Sequence, residues 1–113
     1  MALHVKEHGP HIAVIIMDNQ AKRNALSRDD LRELGDVWLR LQDAPYRCLI
    51  LTGAGEKSFC AGADLSADLS AGPELSEIIH KGLLKYGAYR KPVIAAVNGD
   101  CAGGGVELLL STD

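Results

Sequence analysis

The stretch from Val93 to Leu110 constrains this chain more than any other. Val93-Ile94-Ala95-Ala96-Val97 is a short apolar run with the character of a strand. It feeds into Asn98-Gly99-Asp100-Cys101-Ala102-Gly103-Gly104-Gly105, and Val106-Glu107-Leu108-Leu109-Leu110 then starts a helical pattern. The first N–H groups of a helix have no partner inside it, and the helix dipole makes that end partly positive. Three consecutive glycines remove the side chains that would keep a ligand away from those N–H groups. Glu107 follows two residues after the last glycine. An acid in the first turn of a helix pairs with the dipole, which is one reading of it. A general acid or base beside an anion-stabilising site is the other. This segment alone leaves both open.

The remaining apolar pattern alternates strand and helix. Leu3 and Val5 alternate with His4, Lys6 and His8, Gly9-Pro10 marks a turn, and Ile12-Ala13-Val14-Ile15-Ile16-Met17 follows, so an antiparallel hairpin is expected. His4 and His8 fall on the solvated face of that alternation, and no carboxylate-supported ligand spacing accompanies them, so no metal site is expected. Asp18 to Leu26 is a polar loop carrying Lys22-Arg23. Ser27 with Asp30 has capping-box spacing, and Leu31, Leu34, Trp38 and Leu41 recur at helical intervals, which predicts an amphipathic helix over about 28–43 with Trp38 in the core. Asp43-Ala44-Pro45 ends it. Cys48-Leu49-Ile50-Leu51 is a continuous apolar run of the kind found in strands buried on both faces, so a βαβ unit is expected.

Gly53 to Ser66 is the second unusual stretch. It lacks the G-x-x-x-x-G-K-[ST] pattern of a phosphate-binding loop, and Ser58 stands where a dinucleotide fingerprint needs its third glycine. It reads as a small-residue loop, Ala61-Gly62-Ala63, at the C-terminal side of a strand, the edge at which ligands bind in open α/β structures. Ala67 to Pro73 is polar and small and reads as a mobile or variable segment. Leu75, Ile78, Ile79, Leu83 and Tyr86 then predict a helix over about 74–88, with Pro73 suited to its start.

Composition narrows the classes. At 113 residues the chain suits one domain, and 47% hydrophobic with 24% charged residues is ordinary globular usage. The net charge of −3 argues against nucleic acid or an anionic membrane as the main partner. Lys and Arg total 12, and most precede residue 60, which leaves room for a local anionic ligand in that half. Cys48, Cys60 and Cys101 show neither CxxC nor zinc-ligand spacing and read as reduced thiols of a cytoplasmic protein. Cys101 has no histidine partner in sequence to activate it as a nucleophile. No secretory leader and no apolar run of membrane-spanning length is visible.

Four segments together resemble the enoyl-CoA hydratase/isomerase (crotonase) family, in the order that family shows them. They are Arg23-Asn24-Ala25-Leu26-Ser27, Leu49-Ile50-Leu51-Thr52-Gly53, Ser58-Phe59-Cys60-Ala61-Gly62-Ala63-Asp64-Leu65, and Lys91-Pro92-Val93-Ile94-Ala95-Ala96-Val97-Asn98-Gly99 with Gly103-Gly104-Gly105-Val106-Glu107. The resemblance covers nearly the whole chain, and the chain covers less than half of a usual family member. It implies an α/β fold, the incomplete N-terminal portion of the crotonase-like (ClpP/crotonase) spiral of ββα-type units, with residues 1–113 as part of one acyl-CoA-binding domain.

The resemblance also assigns roles. The N–H groups of Ala63 and Gly104 would form an oxyanion hole, and Glu107 matches the first of two catalytic glutamates in hydratases. Ala25 and the loop Ala61, Gly62, Ala63, Asp64, Leu65 and Ser66 would run along the CoA moiety, and Lys22 and Arg23 would reach its phosphates. Ser66 stands where several relatives have lysine. The implied reaction is syn addition of water to a 2-trans-enoyl-CoA. An isomerase or another acyl-CoA-transforming member is the nearest alternative, and a non-catalytic CoA-binding fragment is the alternative outside the enzyme class. The implied partner is an acyl-CoA or enoyl-CoA thioester, with no separate cofactor because CoA belongs to the substrate. A homotrimer or dimer of trimers is implied for a full-length relative. The resemblance further implies exposed apolar surface where a second half would pack.

Overall fold

The computed structural model describes residues 2–64, 73–85 and 89–113. Strand β1 (Ala2–His8) and strand β2 (Ile12–Asp18) form the expected antiparallel hairpin, with Val5 opposite Ile15. A single 3-10 turn, Gln20–Lys22, interrupts the polar loop before helix α1 (Arg28–Gln42). Strand β3 (Cys48–Gly53) returns parallel to β2, and strand β5 (Val93–Ala96) lies parallel to β3, so the main sheet runs β1-β2-β3-β5. Between these come strand β4 (Ser58–Cys60) and helix α2 (Pro73–Gly82). Strand β6 (Asp100–Cys101) and helix α3 (Gly104–Leu110) close the described chain.

Local chemistry explains α1. The Ser27 hydroxyl accepts from the Asp30 N–H, and the Asp30 carboxylate accepts from the Ser27 N–H, which satisfies two donors at the helix start. Leu31, Leu34, Val37, Trp38 and Leu41 are buried along one stripe. That stripe meets one face of the sheet, where the paired rows Ala13–Leu49–Val93 and Ile15–Leu51–Ala95 sit in the core. Each large apolar side chain fully buried there contributes about 1.5–3 kcal/mol. Gly35, the weak point of α1, is buried against Lys81 of α2, so the glycine lets the two helices approach closely. Trp38 is a core residue, and its indole N–H donates to the Gly82 carbonyl at 2.9 Å.

Three expectations change, and His4 gains a partner. β3 is not buried on both faces: Leu49 and Leu51 are buried while Cys48, Ile50 and Thr52 are half-buried. The described residues supply helices to only one side of the sheet, and on the other side Ile94 is 52% exposed. Val97 and Leu110 are exposed as well, as is Leu39 on α1. The predicted helix over 74–88 ends at Gly82, because Leu84 turns left-handed (φ 57°) and caps it. The Gly53–Ser66 segment is more than a loop, since β4 lies inside it and pairs in parallel with β6. Strands of three and two residues are too short to show a period in sequence. His4, assigned to a solvated face, bonds the Asp18 carboxylate at 2.9 Å across the hairpin. The segment expected to be mobile (67–72) and Tyr86 lie outside the described residues.

Candidate active site

The small β4–β6 sheet brings the two glycine-bearing segments together. Ala102 N–H donates to the Cys60 carbonyl at 3.1 Å. Gly105 packs on the same carbonyl, where a Cβ would fall 2.2 Å from the oxygen. Only glycine permits α3 to start against β4 at that distance.

On the other side, residues 61–64 run beside residues 23–26. Ala61 N–H donates to the Arg23 carbonyl (3.0 Å), Leu26 N–H to Gly62 (2.7 Å), and Asp64 N–H to Leu26 (2.7 Å). Ala63 and Leu26 form a parallel bridge. Successive N–H groups of an extended segment point to opposite sides. The Ala63 N–H therefore points away from residues 23–26 and toward α3. Gly62 makes the turn into this arrangement with φ 112°, and Gly103 does the same for α3 with φ 52°.

Within the first turn of α3, the N–H groups of Gly105 and Val106 are taken by the carbonyls of Ala102 and Gly103. The Gly104 N–H has no acceptor among the described residues, and neither has the Ala63 N–H. The two lie side by side. A Cβ on Gly104 would be 3.3 Å from the Ala63 nitrogen, and one on Gly62 would be 3.0 Å from the Gly104 nitrogen. Two adjacent backbone donors without internal acceptors are the kind of pair that can bind an oxyanion. Glu107 sits three residues beyond Gly104, on the same side of the helix, and is exposed. Its Oε2 pairs with Lys85 Nζ at 2.5 Å.

The other residues singled out in sequence fall around this pair. Lys22 does not present a free ammonium: its Nζ pairs with Asp64 Oδ2 at 2.9 Å, and that hydrogen bond first, then the carboxylate charge, raises the Lys22 pKa. Arg23 is left-handed (φ 54°) and exposed, and its side chain lines a cavity of about 170 Å³ together with Gln20 and Lys57. Ala25 is half-buried, Ala61 exposed and Gly62 buried. Leu65 and Ser66 lie outside the described residues. Cys60 and Cys101 are opposite one another between β4 and β6, past a register shift after Ser58, and burial raises both thiols.

Sequence reasoning missed three residues. Asn24 (buried) and Asn98 hold the β3–β4 loop through their side-chain amides, and Lys85 reaches Glu107. An asparagine ahead of an apolar run carries a weak signal for a left-handed position. For Lys85 no local signal exists, because the contact depends on how α2 ends.

A mixed-sheet α/β fold sets two adjacent backbone N–H groups, without acceptors among the described residues, beside the start of α3, with a carboxylate one turn along. Residues 7–113 match the enoyl-CoA hydratase/isomerase family model, and the chain belongs to that family. It is 38% identical to a carnitinyl-CoA dehydratase of Proteus mirabilis, over 99% of this chain and 44% of the relative. It is 40% identical to a crotonyl-CoA hydratase of Syntrophomonas wolfei, over 96% of this chain and 44% of the relative. Among solved structures, an enoyl-CoA hydratase from Bacillus anthracis superposes with a TM-score of 0.85 at 37% identity, covering 98% of this chain and 45% of that one. The fold is thus a partial crotonase fold, and the chain spans less than half the length of these relatives. No helix among the described residues is long and apolar enough to cross a membrane.

Proposed function

We propose that this chain carries the oxyanion hole and one catalytic carboxylate of an enoyl-CoA hydratase that adds water in syn fashion to a 2-trans-enoyl-CoA. The observation that carries the reading is the pair of adjacent N–H groups of Ala63 and Gly104, both without an acceptor among the described residues. A conjugated thioester draws electron density from C3 when water attacks there, and the charge collects on the thioester oxygen. Two fixed donors at that oxygen stabilise the enolate-like transition state. Removing one donor from such a site costs about 3–4 kcal/mol in other enzymes. Glu107 then holds or activates the water that attacks C3, and a proton goes to C2. One carboxylate performs both proton movements less well than two whose pKa values are set apart. A second acid beyond residue 113 completes the machinery in this reading.

The thioester carrier runs along Ala25 and residues 61–64, with Lys22, Arg23 and Asp64 at its polar end. The Lys22–Asp64 pair is adaptable, because Lys22 is largely exposed and its ammonium can rotate toward a phosphate. The presence of an acid at Glu107 favours hydration over isomerisation. A soluble cytoplasmic enzyme acting as a trimer or dimer of trimers fits this reading.

The test is hydration of crotonyl-CoA, followed as loss of the conjugated thioester absorbance by the complete gene product. Glu107→Gln is expected to lower turnover while leaving thioester binding nearly intact. Unchanged turnover in that variant would reduce Glu107 to a helix-dipole residue and overturn the reading. Purified residues 1–113 alone are expected to show little activity, and an ordinary enzymatic rate from them would refute the need for a second acid.

A further inference from the structure

Helix α2 ends in an unusual way, and the ending delivers a cation to Glu107. Lys85 N–H donates to the His80 carbonyl at 2.8 Å and Leu84 N–H to the Lys81 carbonyl at 3.3 Å. This is the double bond of a Schellman cap, in which Leu84 takes the left-handed position usually given to glycine. The nearby glycine is employed elsewhere. A Cβ on Gly82 would stand 2.7 Å from the Leu31 carbonyl, so Gly82 is needed where α2 crosses α1, and its own carbonyl receives the Trp38 indole. A leucine at positive φ is strained, and here it is held by packing against the core. The consequence of the cap is that the Lys85 backbone is fixed by a hydrogen bond and its side chain is directed out of the helix.

That side chain ends on Glu107, with Nζ 2.5 Å from Oε2. Lys85 is 34% and Glu107 50% exposed. An ion pair so open to water adds little to stability. Its effect is on orientation. Glu107 is a three-torsion side chain at the exposed start of a short helix, and without a partner it samples several rotamers. With Oε2 held by the ammonium, Oε1 is the oxygen left for a ligand.

We propose that Lys85 is a positioning residue for Glu107, presenting one carboxylate oxygen to the water beside the Ala63 and Gly104 amides. The inference rests on the hydratase reading of Glu107, and it adds a residue from outside the four segments that carry the family resemblance. Lys85 does not touch the substrate; it acts through the carboxylate.

The test is a kinetic cycle in the complete gene product with Lys85→Met, Glu107→Gln and the double variant, together with Lys85→Arg. Lys85→Met is expected to lower kcat roughly 10- to 100-fold with little change in KM for crotonyl-CoA, the scale of a misplaced catalytic group. Its melting temperature should stay close to that of the parent. Lys85→Arg should restore most of the rate. The double variant should turn over no more slowly than Glu107→Gln alone. Full activity in Lys85→Met, or a further loss on adding it to Glu107→Gln, would overturn the proposal. If Glu107→Gln itself retains full turnover, the hydratase reading has failed first, and the role of Lys85 falls with it. A crystal structure of the Lys85→Met protein reads the placement without an assay, and an unmoved, well-ordered Glu107 carboxylate there would equally overturn it.

Discussion

Asn24 and Asn98 meet on the carbonyl oxygen of Ser58. The Asn24 amide donates to it at 2.8 Å and the Asn98 amide at 3.1 Å. Asn24 also donates to Ala54 and accepts from the Asn19 N–H, while Asn98 donates to Gly55 and accepts from the Gly53 N–H. One asparagine lies within the strip that runs beside the Ala63 loop, and the other precedes the glycine turn. Their shared grip fixes the β3–β4 loop, and with it the start of β4, from which the chain runs on to Ala63. The Ser58 hydroxyl adds a bond to the Arg23 carbonyl at 2.7 Å.

Replacing Asn24 by Ala should therefore be costly. It removes three hydrogen bonds from a fully buried amide and strands the partners, a loss of about 2–3 kcal/mol. Because Asn98 shares the Ser58 acceptor, Asn24→Ala and Asn98→Ala should be coupled by about 1 kcal/mol in urea denaturation. Strict additivity would show that the two amides act independently.

Gly104 and Gly105 are neighbours with opposite expected outcomes. A Cβ at Gly105 would meet the Cys60 carbonyl at 2.2 Å, so Gly105→Ala should destabilise the protein by about 3 kcal/mol as α3 is forced off β4. Thermal unfolding checks this directly.

At Gly104 the added methyl would lie 3.3 Å from the Ala63 nitrogen, a tight but tolerable contact. Gly104→Ala should change stability by less than about 1 kcal/mol, since Ala is a better helix former than Gly. It should still lower turnover on the order of 100-fold by standing over a donor. A Gly104→Ala enzyme with wild-type kcat/KM would remove the oxyanion role from this position.

Tyr89 carries a pH prediction. Burial first, then the nearby Asp43 charge, push its phenol from 10.0 to about 12. Its hydroxyl donates to the Trp38 carbonyl, and its ring meets the Trp38 ring edge-on at 5.7 Å. The folded pKa is raised, so between pH 10 and 12 the folded chain keeps a proton that the unfolded chain has lost. Stability from this group is complete below pH 10 and declines as pH rises toward 12. In alkaline denaturation series, Tyr89→Phe should be flatter than the parent across that window. Parallel curves would show that Tyr89 does not sense the fold.

The long elements were legible because their signals are local. Leu31, Leu34, Trp38 and Leu41 mark α1 by spacing, and Ser27 with Asp30 marks its start by chemistry that any helix needs. The hairpin, the strand after α1 and the glycine-rich entry to α3 were visible for the same reason. The glycines at 103–105 and the acid at 107 also announced a helix start free of side chains, with a carboxylate beside it.

What the linear chain could not supply was contact between distant segments. That Ala63 and Gly104 lie side by side depends on a two-residue strand pairing with a three-residue one, and neither is long enough to leave a pattern. That Lys22 spends its charge on Asp64, and Lys85 on Glu107, follows from where the backbone delivers each side chain. The end of α2 shows the limit most plainly: the apolar spacing in the sequence runs on to Tyr86, yet the helix ends at Gly82, which packs on Leu31, and Leu84 takes the left-handed turn. Sequence by itself determined the periodic elements, the glycine-lined helix start and the family, since those depend on residues a few positions apart or on a motif string. Tertiary structure alone decided which donors were left without acceptors and which cation met the carboxylate. Hydrogen-bond satisfaction is settled over the whole fold, and a free N–H is defined only once every other partner has been placed.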